Sequence, residues 1–600
     1  MKKIKLVCLL SLFCCSCSEV STSSIQQNNS IQKLEVNYTN VKDTYFLGEK
    51  LDLSSLDVVI KEFVDGAWLE KEHVENWTSS IQNGTILNEE GEIKITISYL
   101  EFVPVSFYIL VLNRDKYLSN DDFSKASNEY NVSLFGKNTS SPYLDPLSLD
   151  NKVLVVPYYF TEQEEMATEE NRKKIEDVFF SSENKPYSVK SYYETSSYHK
   201  TNFDGDVINW MKSSYQSDKL IQNGGYDAAK DIYEQYQKEY RKDNHGILGK
   251  DAKSLSYYDS NNDGAIDLLW IIYSRPMEHT STNQWWAYTS HEGVGLSLNV
   301  NNPVPKTFCW ASFSFMNDNY DPHTYVHETG HAYGLVDYYD YNSYWSCMGG
   351  VDMMDNNIGD HSGFSKFSLG WTSPLVVNKS SIIKLKKYSS SGEFILLPSQ
   401  NYNNTPFDEY LTLEYISTDN LNSIDYYTGY NGVSGYKEGG IRISHIDARV
   451  KNDNRYIPLD DIQKATNYIA DNSYFGRNSS GKASSTTTDF FEGHLNDSNV
   501  DRSYYLLGVI SASFDETRYN MNSKVYCDDS SLFKKNSEFS LDDGYNIFMP
   551  SYSSLWNKAR SHVLNNDDYK TVIDESLKCS YYVIVLDINE EEATLLIEVK

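Results

Sequence analysis

Apolar and polar positions alternate in short bursts through residues 31–113: Leu34-Glu35-Val36, Leu56-Asp57-Val58-Val59-Ile60, Ile93-Lys94-Ile95-Thr96-Ile97 and Phe107-Tyr108-Ile109-Leu110-Val111. Period-2 alternation between turn-forming clusters predicts half-buried strands, and strands at this spacing predict a small β-sandwich. The pattern changes at about residue 150. Val153-Leu154-Val155-Val156-Pro157 reads as a buried strand, Leu268 to Tyr273 is strand-like and uniformly apolar, and Ala228 to Lys242 reads as a helix. This mixture predicts an α/β domain over 150–376, with Thr307 to Phe315 as the sheet's edge strand. Runs such as Phe394 to Leu397, Tyr410 to Tyr415, Tyr582 to Leu586 and Ala593 to Ile597 then predict a β-rich sandwich over 377–600. Residues 114–149 form a polar linker, helical near 121–130.

The first residues belong to targeting rather than fold. Lys2, Lys3 and Lys5 precede an apolar stretch from Leu6 to Cys15, and Ser16-Cys17 places a small residue before a cysteine. That order predicts a bacterial lipoprotein signal over 1–16, with Cys17 lipidated; Cys14 stands where leucine is usual, and simple secretion is the alternative. Residues 17–30, rich in Ser, Asn and Gln, read as a flexible tether. The membrane is thus expected to be met through an N-terminal lipid only. The whole chain of 600 residues has 53 basic and 84 acidic residues, and loss of the three signal lysines leaves 50 against 84, a formal charge of −34. Such acidity argues against nucleic acid as a partner, because counterion release needs clustered Lys and Arg. Export permits disulfides, and chain proximity suggests Cys309 with Cys347 and Cys527 with Cys579; four unpaired thiols are the alternative.

The chemistry concentrates in His327-Glu328-Thr329-Gly330-His331-Ala332-Tyr333-Gly334-Leu335-Val336-Asp337, which reads H-E-x-x-H-x-x-G-x-x-D. Histidines four apart on a helix share one face, so both imidazoles reach one ion. Asp321 and Pro322 suit the helix start, and Gly334 suits its end, where a left-handed residue turns the chain and returns Asp337 toward the metal. His327, His331 and Asp337 are then three zinc ligands, which leaves a fourth position open, as catalytic zinc requires. Glu328 is placed as general base. Asp340, His361 and Asp352 are alternatives for the third ligand. His323 reads as a supporting or exposed residue, and Tyr333, Tyr338 and Tyr339 are candidate phenols for an oxyanion.

With these residues the chain resembles the immune inhibitor A type of secreted bacterial metallopeptidase, metzincin-like zincins that use Asp as third ligand. Met348-Gly349-Gly350-Val351-Asp352-Met353-Met354-Asp355 and Phe364-Ser365-Lys366-Phe367-Ser368-Leu369-Gly370-Trp371 resemble that family's methionine turn and its S-K-x-x-L-G-W ending. Met354 is the candidate beneath the metal, with Met353 and Met348 as rivals. Ser188 to Tyr198 and Gly440 to Asp447 extend the likeness, with His199 where the family has glycine. Together with Tyr45 to Glu49, the first strands resemble a bacterial immunoglobulin-like repeat. The resemblance covers roughly residues 150 to 445 and implies a zincin there; with the strand patterns on either side, the expected chain is multidomain, an α/β zincin flanked by an Ig-like β-sandwich (31–113) and a C-terminal β-rich domain. It also implies a zinc endopeptidase acting on extracellular proteins or peptides. A cell-surface adhesin or glycan-binding lipoprotein with an inactive zincin scaffold is the competing reading.

Asp259-Ser260-Asn261-Asn262-Asp263-Gly264-Ala265-Ile266-Asp267 supplies a second metal signal. Asp259, Asn261, Asp263, Ala265 and Asp267 stand where a calcium loop places oxygens, with Gly264 at the sharp turn; Trp270 replaces the bidentate Glu of an EF-hand, and an Asx-rich turn is the alternative. Asn496 to Asp501 lacks the glycine and reads as a solvated turn.

Overall fold

The computed structural model describes residues 20–27, 30–38, 41–119, 143–183, 187–220, 224–278, 285–338, 348–398, 402, 404–406, 408–427, 429–430, 432–448, 451–452, 455–456, 507–512, 527–540 and 581–599. The predicted signal, Cys17, Tyr339, Asp340, Cys347, Cys579 and the 496–501 turn lie outside them. Two compact units divide the chain: Met1–Asp122 with two short later segments, and a larger one holding 123–378 and 384–595.

The first unit contains two four-stranded sheets. Val20–Gln27, Ser30–Asn37, Asp57–Val64 and Ala67–His73 form one, in that order; Thr44–Phe46, Val105–Leu112, Gly91–Ser98 and Thr78–Ser79 form the other. Leu34, Val36, Val58 and Ile60 from the first share a core with Tyr45, Ile95, Ile97, Phe107 and Ile109 from the second. The alternation read from the sequence is the cause: every second residue of these strands has only this apolar layer to enter.

The larger unit opens with a mixed sheet ordered Asp204–Val207, Lys152–Tyr159, Leu268–Tyr273, Phe308–Ser312 and Tyr288–Ser290. The first four strands run parallel and the last antiparallel. Leu268–Tyr273 is buried at all six positions because helices cover both faces. Leu269, Ile271 and Tyr273 meet Ala228, Ile232 and Tyr236 of the helix Gly224–Tyr240. On the other face Trp270 packs on Phe179 of the helix Glu169–Phe180 and on Tyr325 of the helix His323–Ala332.

Two sequence expectations are corrected: Val20–Gln27, read as part of a flexible tether, is a strand paired with Ser30–Asn37, and the edge of the mixed sheet lies elsewhere than expected. Phe308–Ser312 is not the edge strand but lies between Leu268–Tyr273 and Tyr288–Ser290. Its complete burial already marks an interior strand. Among the described residues the edge on that side is Tyr288–Ser290, too short and too polar for periodicity to reveal.

Later in this unit a five-stranded sheet runs Leu375–Val376, Ile395–Pro398, Glu409–Ile416, Gly440–Asp447 and Leu507–Ile510. It is tied to the loop after the histidine helix by a buried ion pair. Arg442 donates to Glu414 at 2.6 Å and to the Val351 carbonyl at 2.9 Å, while Glu414 accepts from the Gly363 amide.

Candidate metal centre

The helix His323–Ala332 starts after Pro322, with Asp321 accepting from the His323 amide at 3.0 Å. It ends as its sequence predicts. Gly334 adopts φ +96°, its amide bonds to the His331 carbonyl and the Leu335 amide bonds to the Gly330 carbonyl. This left-handed close satisfies the last carbonyls and swings the chain back. Asp337 thereby meets the two histidines.

The ligand atoms of His327, His331 and Asp337 lie within 4.8 Å of one another, the one such group of metal-binding type among the described residues. Asp337 Oδ1 is 2.9 Å from His327 Nε2 and 3.1 Å from His331 Nε2. The outer nitrogens fix the tautomers. Nδ1 of His327 faces the Met353 carbonyl and Nδ1 of His331 the Leu335 carbonyl, each at 2.8 Å. A carbonyl only accepts, so each Nδ1 carries a proton, and Nε2 is the atom that presents a lone pair when the ring is neutral. With both rings neutral, two lone pairs and a carboxylate oxygen converge, an arrangement that needs positive charge at its centre. Zinc ligands at 2.0–2.1 Å in tetrahedral geometry stand about 3.3 Å apart, so the two carboxylate–imidazole distances match that ion after a small expansion. Without an ion, protons answer the same need. Burial would push His331 down, but Asp337 outweighs it and holds the imidazole up at about 9, and the same contacts hold the Asp337 carboxyl well below its usual range despite burial.

Glu328 is buried beside this group and donates no atom to it. Burial pushes its carboxyl above the usual range, only partly offset by the two imidazoles. A carboxylate raised in this way is a better proton acceptor near neutral pH.

Met354 sits beneath the helix. A Cβ built on Gly330 would stand 2.5 Å from Met354 Sδ, so a larger residue inside H-E-T-G-H would displace the end of that side chain. Met353 contributes its carbonyl to His327. The other predicted candidates among the described residues are engaged elsewhere. Both Asp352 oxygens are engaged at 2.8 Å by the amides of Met354 and Ser362. His361 is fully buried against Tyr192 and Trp371 and outside the converging group. The Tyr333 phenol faces Thr201 and the Tyr338 phenol faces Ser365. Cys309 is a buried thiol. At the departure from the family pattern, Tyr198 and His199 both adopt positive φ, 54° and 59°, the conformation a glycine takes without strain.

His323 is neither ligand nor exposed. Its ring lies 2.5 Å from Asp321 and 2.8 Å from Asp425, and Asp425 also accepts from the Gly359 amide. Burial alone would push the imidazole down; the two carboxylates outweigh it and hold it up at about 9. The ordinary value is 6.5, so this contribution to stability is complete below pH 6.5 and lost as pH rises through about 9. It amounts to about 3 kcal/mol. Melting temperature of the metal-free protein is expected to fall over that window, and Asp425→Asn to flatten the fall. An equally steep decline in the variant would remove His323 as its cause.

The loop 259–267 closes on itself. Asp259 accepts from the amides of Asp263 and Gly264 at 3.0 Å, Asn261 from Asp263 at 3.0 Å, and Asp263 from Ala265 at 2.9 Å. Asp267 accepts from Ser260 at 3.0 Å and Lys152 at 2.8 Å, and burial pushes its carboxyl up to about 6. Ala265 enters a two-residue strand against Val304–Pro305.

Sequence reasoning missed Thr289, which hydrogen-bonds Glu328 from the edge strand, and Asp425, which grips His323 from 102 residues away. No spacing rule connects either pair. Among protein-family models none matches the chain, and a search of curated proteins finds no match.

Proposed function

We propose that the chain is a zinc-dependent endopeptidase of the immune inhibitor A type, acting on extracellular proteins or peptides. The observation that carries this reading is the convergence of the two Nε2 atoms and the Asp337 carboxylate beside a buried carboxylate that does not join them. An inactive, metal-stabilised scaffold has no use for Glu328.

Zinc, when bound, polarises the scissile carbonyl and makes water easier to deprotonate. The rest is the work of this chain's residues. His327 and His331 are aimed by the carbonyls of Met353 and Leu335, Met354 supports the helix from below, and Glu328 takes a proton and returns it to the leaving amine. The edge strand Tyr288–Ser290 has a backbone side to which an extended peptide adds as a further strand. In this reading the mixed sheet is a zincin domain and the first unit an Ig-like sandwich. Lipid on Cys17 holds the exported protein at the outer face of the membrane.

Purified chain lacking residues 1–16 is expected to degrade casein, to stop when a zinc chelator is added, and to resume on zinc addition. Casein left intact by the zinc-loaded chain would overturn the proposal. Calcium is the second cation proposed, as a stabiliser of loop 259–267 through oxygens that now accept from its amides. At fixed zinc, melting is expected to rise with calcium, and an unchanged melt would leave an ion-free Asx turn.

A further inference from the structure

We propose that Thr289 is the positioning residue of Glu328, an inference that rests on the peptidase reading. Thr289 stands on the edge strand directly opposite Cys309 of Phe308–Ser312, so the two side chains share the sheet face beneath the histidine helix. Its Oγ1 lies 3.0 Å from Glu328 Oε2 and 2.8 Å from the Glu328 carbonyl. Among the described residues no other group hydrogen-bonds this carboxylate.

Proton accounting shows how the contact works. A threonine hydroxyl has one hydrogen, and both Glu328 atoms only accept. The Cys309 thiol lies 3.6 Å from the Glu328 carbonyl and 3.3 Å from Thr289 Oγ1. When the thiol donates to the carbonyl, the hydroxyl is released to donate to Oε2. One carboxylate oxygen is then tethered, and Oε1 remains to exchange protons with the substrate side. Threonine suits the task because its branched Cβ fixes χ1, so the strand itself sets the hydroxyl's direction. The strand that would pair with the substrate backbone thus also sets the orientation of the base, coupling substrate register to proton transfer.

The test compares wild type with Thr289→Val, Thr289→Ser, Glu328→Gln, Glu328→Ala and the double variant Thr289→Val/Glu328→Ala. It reads kcat and KM on a fluorogenic peptide, zinc content, and melting of the metal-free proteins. Thr289→Val keeps the branched shape and loses only the hydroxyl; kcat is expected to fall roughly tenfold or more, with KM within about twofold and zinc retained. Thr289→Ser is expected to recover most of the loss. Melting shifts of Thr289→Val and Glu328→Ala, each of which removes the contact, should be non-additive in the double variant, a readout independent of turnover. Wild-type kcat in Thr289→Val beside an inactive Glu328→Gln overturns the clamp and leaves the peptidase reading standing. A wild type that cleaves nothing overturns both. Loss of zinc from Thr289→Val, strictly additive melting shifts, or no recovery with serine makes Thr289 a structural residue and overturns the proposal.

Discussion

Glu328→Ala is expected to lower kcat/KM on peptide substrates by about a thousandfold or more while zinc content stays that of wild type. The two halves of this expectation have separate causes. Metal is held by His327, His331 and Asp337, and Glu328 supplies none of the converging atoms. Activity depends on a group that accepts a proton from water and passes it on, a task worth about 10²–10⁴-fold. Burial makes Glu328 suitable because it raises the carboxyl pKa beside two imidazoles that keep the site polar. Alanine also leaves Thr289 without its carboxylate partner, so some loss of stability accompanies the loss of turnover. Glu328→Gln keeps the volume and a hydrogen-bond acceptor but cannot take the proton, and is expected to be equally inactive. Zinc titration and steady-state kinetics on the same preparations separate these effects. Retained turnover in either variant would remove Glu328 from the chemistry; zinc loss in both would make it part of the metal's support.

What the sequence made legible was local. Four-residue spacing put His327 and His331 on one face, and a glycine three residues later predicted the return of Asp337, because both effects are set by backbone geometry within one turn. Strand alternation in the first unit was equally readable, since neighbours in sequence alternate between core and solvent. What escaped was set by tertiary contact. Thr289 reaches Glu328 across 39 residues, and Arg442 reaches the Val351 carbonyl across 91. Tyr288–Ser290 has three residues, fewer than any periodicity can register, so the edge was assigned to its neighbour. Loop 259–267 shows the other limit. Its spacing announces oxygen donors, but the same carboxylates also satisfy the amides of a tight turn, and composition alone does not separate these uses.

Asp337→Ala is expected to weaken zinc binding by roughly a hundredfold or more, the largest effect on metal affinity of any non-histidine substitution in the chain. A single oxygen, Asp337 Oδ1, lies within 3.1 Å of both Nε2 atoms, so its removal takes away the only anionic donor of the group. Two neutral imidazoles remain, a set that binds a divalent ion far less tightly than one with a carboxylate. Asp337→Asn keeps the oxygen and loses the charge, and should fall between wild type and alanine. The controls come from residues that sequence alone left open as third ligand. Asp352→Asn perturbs the turn that carries Met354, and His361→Gln perturbs a buried aromatic cluster; both are expected to lower melting temperature yet hold zinc. Competition against a chelator of known affinity measures each variant directly. Wild-type affinity in Asp337→Ala with loss in Asp352→Asn or His361→Gln would move the third ligand to that residue, and the catalytic reading would need a centre rebuilt around it.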